Sequence, residues 1–252
     1  MNRAAQAAVG GPAPLRSVGR THRGLVRELN EDAFLERPDR DRADCGLWAV
    51  ADGMGGHQAG DVASALVVAA LASPDGFANG PSAQVLRARL ATVSAELAAR
   101  ARASRPGSTI GSTVAVLTIQ GGRYDCLWAG DSRAYRLTRG DLVQITRDHT
   151  LVQALVDAGE LRPEEAAGHR QAHVITRAVG VDPLTLDRVE GEIRPGDRFL
   201  LCTDGLTGAV SEHEIARALQ CGDMDAAADD LIALALARGG RDNVTVVIVE
   251  AP

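Results

Sequence analysis

Apolar residues fall into two kinds of run along this chain. Gly46 to Ala51, Thr113 to Ile119, Arg198 to Cys202 and Asn243 to Val249 are short and nearly continuous. Such runs predict buried strands, the last one apolar on both faces and therefore central. In the second kind the apolar positions are spaced. Leu86, Leu90, Val93 and Leu97 are separated by four, three and four residues, which predicts an amphipathic helix starting near Ser82. Val62 to Ala72 is predicted as another helix, with Val62, Leu66 and Ala69-Ala70 on the packed face.

Turn chemistry divides these runs. Gly121-Gly122 and Arg139-Gly140 each separate two strand-like segments by two residues, the spacing of a tight hairpin. A strand at Arg16 to Thr21 ends in a turn at Arg23-Gly24, Ala33 to Leu35 resumes it, and Arg37 to Asp44 is a charged loop. Ser73-Pro74-Asp75-Gly76 breaks the first helix. Leu151 to Ala158 and Pro163-Glu164-Glu165 are helical, the latter with proline and acids in the first turn. Leu184 to Ile193 is strand-like, with a turn at Pro195-Gly196. Ser211-Glu212-His213-Glu214 fits a capping box, and Asp223 caps a last helix with Ala228, Leu231 and Ala235 on one side. Antiparallel runs with adjacent helix pairs give an α+β class, best satisfied by a layered β-sandwich covered by helices. No linker or repeat divides the chain, so residues 15–252 are expected as one domain behind a disordered leader at 1–14.

Composition narrows the function. At 45% hydrophobic and only 3% aromatic, the core is built from Ala, Val, Leu and Ile. A net charge of −6 lacks the basic footprint of a nucleic-acid-binding protein. Cys45, Cys126, Cys202 and Cys221 have no CxxC spacing and read as reduced thiols, not a zinc site. No secretory or membrane-spanning segment is evident, so a cytoplasmic protein is expected.

Candidate chemistry lies at strand ends. Asp52, Asp204 and Asp242 each end or adjoin an apolar strand, and glycine follows the first two. Carboxylates so near a core are usually hydrogen-bonded or metal-bound, although a single Asp-Gly is more often an ordinary turn. Without a His or Cys cluster beside them, the acids suit a hard ion such as Mg2+ or Mn2+.

The order of motifs then carries a resemblance. Arg27-Glu28-Leu29-Asn30-Glu31-Asp32, Asp52-Gly53-Met54-Gly55-Gly56-His57, Gly130-Asp131-Ser132-Arg133, Thr203-Asp204-Gly205 and Arg241-Asp242-Asn243 resemble the bacterial type 2C, metal-dependent (PPM) protein phosphatases. Asp148-His149-Thr150 and His173 to Gly180 also look like that family. The resemblance implies a four-layer αββα sandwich, with two mainly antiparallel sheets between helix pairs and a flap at about 148–180. It implies two Mn2+ or Mg2+ ions, with a third in bacterial members. Asp52 would bridge the pair, the Gly53 carbonyl would help bind one ion, and Asp204 and Asp242 would hold the other. Glu31 and Asp32 would complete the site through water, Asp131 with Asp204 would hold the third ion, and Arg27 would bind phosphate. The implied reaction is hydrolysis of phosphoserine or phosphothreonine on proteins by metal-activated water. The implied partners are substrates of a cognate Ser/Thr kinase, met as a monomer, without nucleic acid or membrane. Met54 stands where eukaryotic relatives carry the histidine acid; His57, three residues on, could take that part, although a histidine in an exposed turn is more often structural. Asn30 and Asn243 are expected to orient carboxylates, Gly111-Ser112-Thr113 to be tight packing, and Arg133 and Arg177 to form salt bridges. A catalytically silent module of the same fold, and a phosphatase of small esters, remain as alternatives.

Overall fold

Both two-residue loops expected as hairpins have positive φ at their central positions. Gly121 and Gly122 adopt 57° and 74°, and Arg139 and Gly140 adopt 54° and 92°. This geometry twists the way the flanking strands do and sets their register.

The computed structural model describes residues 14–55, 59–73, 80, 82–104, 107–166 and 168–251. The expected leader, except Pro14, and His57 lie outside the described residues, as does most of the break at 73–76. In order come β1 (Arg16–His22), β2 (Asp32–Pro38), β3 (Cys45–Gly55), α1 (Gly60–Ala72), α2 (Ala83–Ser104), β4 (Ile110–Ser112), β5 (Val114–Gln120) and β6 (Arg123–Ala129). There follow β7 (Arg133–Thr138), β8 (Asp141–Gln144), α3 (Leu151–Asp157), α4 (Pro163–Ala166), β9 (Asp187–Glu192) and β10 (Arg198–Cys202). The last elements are α5 (Asp204–Thr207), α6 (Glu212–Gln220), α7 (Met224–Ala237) and β11 (Val244–Glu250). One sheet runs β1-β11-β10-β7-β8; the other runs β2-β3-β5-β6-β9, with β4 paired to β3. All pairings are antiparallel.

The doubly apolar strands serve two cores at once. In β3, Leu47, Ala49 and Ala51 pack under α1 and α2, while Trp48 and Val50 meet the other sheet. In β11, Val244, Val246 and Ile248 face α6 and α7, and Val247 and Val249 face inward. Period-two alternation therefore divides each central strand between an intersheet layer and a helix layer, giving the expected αββα stack. Ser211 and Glu214 close the capping box of α6, and the Asp223 carboxylate accepts from the first amides of α7. Among the described residues no helix is long and apolar enough to cross a membrane.

Three expectations change. Helix α1 buries Ala63, Ser64, Val67 and Leu71 and leaves Val62 exposed. A helix apolar nearly all round carries little periodic signal, so its packed face is set by the sheet beneath it. Strand β3 does not stop at Asp52 but continues to Gly55, because its partner changes from β5 to β4 at that point. Strand β2 extends through Arg37 and Pro38, shortening the charged loop.

Trp48 is fully buried between the sheets, and its ring crosses Gly46 so closely that a Cβ there would lie 2.3 Å from it. Trp48→Ala is expected to cost about 3–5 kcal/mol, read as a lower urea midpoint. A midpoint unchanged from wild type would mean that the intersheet layer does not depend on this side chain.

Candidate metal centre

Asp52 is placed by the change of partner in β3. Its N–H donates to Thr113 Oγ1 (3.0 Å), and its carbonyl accepts from the Thr113 N–H (2.9 Å). Thr113 Oγ1 also shares a 2.6 Å hydrogen bond with Ser132 Oγ. The Gly111-Ser112-Thr113 stretch is thus packing, as expected, and also a clamp on the acid. The next residue must be glycine for steric reasons. A Cβ on Gly53 would lie 1.9 Å from the Gly60 carbonyl, and the Gly53 N–H donates to the Glu31 carbonyl (3.0 Å).

Asp32 lies opposite Asp52 in the β2–β3 register. Its Oδ2 accepts from Thr203 Oγ1 (2.8 Å) and Thr245 Oγ1 (2.7 Å). Both hydroxyls belong to the other sheet's end, where Asp204 opens α5 and Asp242 precedes β11. Each sheet therefore delivers acids to one edge of the sandwich. Asn243 accepts from the Glu31 N–H (2.8 Å) and donates to the Arg23 and Leu29 carbonyls. Asn30 accepts from the Asp32 N–H (3.2 Å). Both asparagines hold the backbone that carries the carboxylates, not the carboxylates themselves. Arg27 donates to Asp242 Oδ2 at 2.7 Å, so the expected phosphate ligand sits beside an expected metal ligand.

A cavity of about 830 Å3 opens over this edge, lined by Arg27, Glu31, Asp52, Asp204, Asp242 and His173 among others. Met54 and the backbone of Gly53 also line it, whereas Asp32 and Asp131 lie deeper. Of the described residues between 148 and 180, His173 lines the cavity. His149 anchors them: its N–H donates to the Gly130 carbonyl (2.9 Å), its Nδ1 accepts from the Gly130 N–H (3.2 Å), and its carbonyl accepts from the Thr176 N–H (2.8 Å). Arg177 bonds Asp187, and Arg133 forks onto Asp148, both as structural ion pairs. His173 then stands with Nδ1 3.8 Å from Asp204 Oδ2.

Electrostatics mark the edge as a place for cations. Burial first, then repulsion from Asp32, Asp204, Asp131 and Asp242, holds Asp52 well above the ordinary carboxylate range. Burial pushes Asp32 up to about 7 despite its two hydroxyl donors, and burial with Asp204 and Asp148 pushes Asp131 up to about 7. Asp204 is raised by burial and then by Asp242, and Glu31 by burial. Like charges confined together are stable only if protonated or neutralised by cations. Among the described residues, Asp32 Oδ1, Asp131 Oδ1 and Asp204 Oδ1 are buried with no hydrogen-bond partner. Orphaned oxygens in an all-carboxylate setting fit a hard divalent ion. Among the described residues no group of three His, Cys, Asp or Glu is placed close enough together to hold a metal ion.

In the sequence, Thr203 and His173 stand out only as parts of motifs, without a role, and Thr245 does not stand out at all. A threonine inside the apolar run of β11 is a polar group that burial obliges to find a partner, a signal that names no partner; the structure supplies Asp32. His173 carries no such mark. Cys221 is exposed, while Cys45, Cys126 and Cys202 are buried, and all are free thiols.

Known proteins resemble this chain in sequence and fold. A family model described as Protein phosphatase 2C matches residues 18–235. The Mycobacterium tuberculosis serine/threonine protein phosphatase PstP is 43% identical over 237 residues, covering 94% of this chain and 45% of that protein. The chain thus spans about half the length of this relative. The Listeria monocytogenes serine/threonine phosphatase stp is 34% identical over 240 residues, covering 92% of this chain and 94% of that protein. A crystal structure of the PstP catalytic domain in complex with two manganese ions superposes with a TM-score of 0.81 at 41% identity, covering 94% of this chain and 97% of that one.

Proposed function

Since the chain belongs to the protein phosphatase 2C family, we propose that it hydrolyses phosphoserine and phosphothreonine on proteins with Mn2+ or Mg2+. The observation that carries this reading is the convergence of Asp52, Asp204, Asp242, Glu31 and Arg27 on one cavity. Asp52, the Gly53 carbonyl, Asp204 and Asp242 would hold two ions, Glu31 and Asp32 would complete their surroundings, and Asp131 with Asp204 would take a third. Such ions, when bound, supply Lewis acidity and a nucleophilic water near neutral pH. Arg27 would turn from Asp242 to the phosphoryl oxygens, for which its planar fork is matched. Thr203 and Thr245 keep Asp32 oriented, and Thr113 fixes the Asp52 backbone. His57 would protonate the leaving alkoxide. We further read residues 15–252 as one domain with a flap at 148–180, monomeric and cytoplasmic, opposing a Ser/Thr kinase.

The test is dephosphorylation of a phosphothreonine peptide. Release of phosphate should require Mn2+ or Mg2+, stop with EDTA, and fall at least about tenfold in kcat/KM for Arg27→Ala. The matched phosphotyrosine peptide should be a much poorer substrate. Hydrolysis that continues in EDTA would sink the metal-dependent reading.

A further inference from the structure

Among the described residues, the exposed large hydrophobics are Leu25, Val26, Leu29, Val62, Val143 and Val174. Three of these six flank Arg27 within five consecutive residues, with exposures of 62%, 66% and 42%. Apolar side chains held in water beside a working cleft need a reason. Mobility does not supply one, because the loop is tied down along its length. The Leu25 and Val26 N–H groups both donate to the Gly240 carbonyl (2.7 and 3.3 Å). Arg23 donates to the Arg27 carbonyl (2.9 Å), and Asn243 holds the Arg23 and Leu29 carbonyls at 2.8 Å each. A rigid backbone thus turns Arg27 toward Asp242 and leaves its apolar neighbours facing solvent. Gly240, to which the lip is bonded, itself lines the cavity. Exposed Val174 follows His173, which also lines the cavity.

We propose that Leu25, Val26 and Leu29 form an apolar lip that takes a large aliphatic or aromatic side chain lying one or two residues from the phosphorylated residue of the substrate. This rests on the phosphatase reading above and names the substrate class it favours. A phosphoryl group docked at Arg27 fixes where the rest of the segment can run. An extended chain advances roughly 3.3 Å per residue, and loop residues flanking Arg27 are about 3.8 Å apart along their Cα atoms. The neighbours of the phosphoresidue are therefore within reach of the residues that flank Arg27, whose exposed side chains at positions 25, 26 and 29 are apolar and lie outside the cavity lining itself. Continuity of the lip with the phosphate position makes a substrate segment its occupant.

Two phosphothreonine peptides that differ only in carrying leucine or serine on both sides of the phosphothreonine test this, with p-nitrophenyl phosphate as a substrate too small to reach the lip. The wild type in Mn2+ should favour the leucine peptide about tenfold in kcat/KM, mainly through KM. Leu25→Ser/Leu29→Ser should lose that preference and keep the wild-type rate on p-nitrophenyl phosphate. Equal treatment of the peptides by the wild type, or a preference that survives in the double variant, overturns the lip. Absence of Mn2+-dependent p-nitrophenyl phosphate hydrolysis by the wild type overturns the phosphatase reading and the lip with it. Self-association in sedimentation that the double variant abolishes, with peptide selectivity unchanged, would make the lip a contact between copies instead.

Discussion

Asp52→Asn is expected to lower kcat by about a thousandfold or more, a loss of roughly 4 kcal/mol of transition-state stabilisation, without unfolding the chain. The substitution preserves shape, and the backbone clamp on residue 52 from Thr113 does not involve the side chain. What it removes is the charge on which the other acids of the site are arranged: Asp32 opposite in the sheet register, and Asp204 within hydrogen-bonding reach. Calorimetric titration with Mn2+ should show the tightest binding event lost. The metal-free variant should melt no lower than the wild type, because one repelling carboxylate has gone. A variant that keeps its rate within about tenfold of wild type would show that the centre does not depend on Asp52.

Stability should respond to pH and metal together. Asp32 and Asp131 have folded values near 7, against about 3.9 in an unfolded chain. A carboxylate raised on folding contributes stability that is fully present below its unfolded value and lost as pH rises through its folded value. From these two groups the metal-free protein should therefore lose stability from about pH 4 upward, with the loss tailing off between about pH 7 and pH 8. His149 works in the other direction. Burial pulls its value down, outweighing the help of Asp187, so its contribution is present above the ordinary histidine value and lost at lower pH. The clean window is therefore the alkaline side, from about pH 6.5 to 8. An ion bound only by the folded state at a hundred times its Kd adds about 2.7 kcal/mol, and it binds the ionised carboxylates. Thermal melts in EDTA and in Mn2+ should diverge most at pH 8 and least at pH 5. A Mn2+-induced shift of equal size at both pH values would disconnect the acid cluster from metal binding.

Legibility in the sequence followed the strength of local physical constraints. Hairpins at Gly121-Gly122 and Arg139-Gly140, the caps at Ser211 and Asp223, and the doubly buried β11 were all readable, because turn geometry, capping and dual burial leave few residue choices. The packed face of α1 was not, since Val62 and Val67 are equally apolar and only the sheet distinguishes them. Nor was the continuation of β3 through Asp52, because a change of pairing partner is a tertiary event. In the site, the acids stood out as costly charges at strand ends. Their support did not: the hydroxyls of Thr203 and Thr245 come from sequence positions about 170 and 210 residues beyond Asp32. His173 was legible only as part of a motif, with nothing in the sequence to place it beside Asp204.

The pairing of β1 with β11 sets Arg16 opposite Glu250 and His22 opposite Val244. The end of this ladder near His22 and Val244 leads into the loop of Arg27 and the turn of Asp242. The other end, six residues away at roughly 3.3 Å each, is the pole where the first and last strands enter and leave. A tag, tether or fusion partner joined at that pole stands some 20 Å from the cleft, so the molecule can be anchored to a surface by either strand with its working face outward.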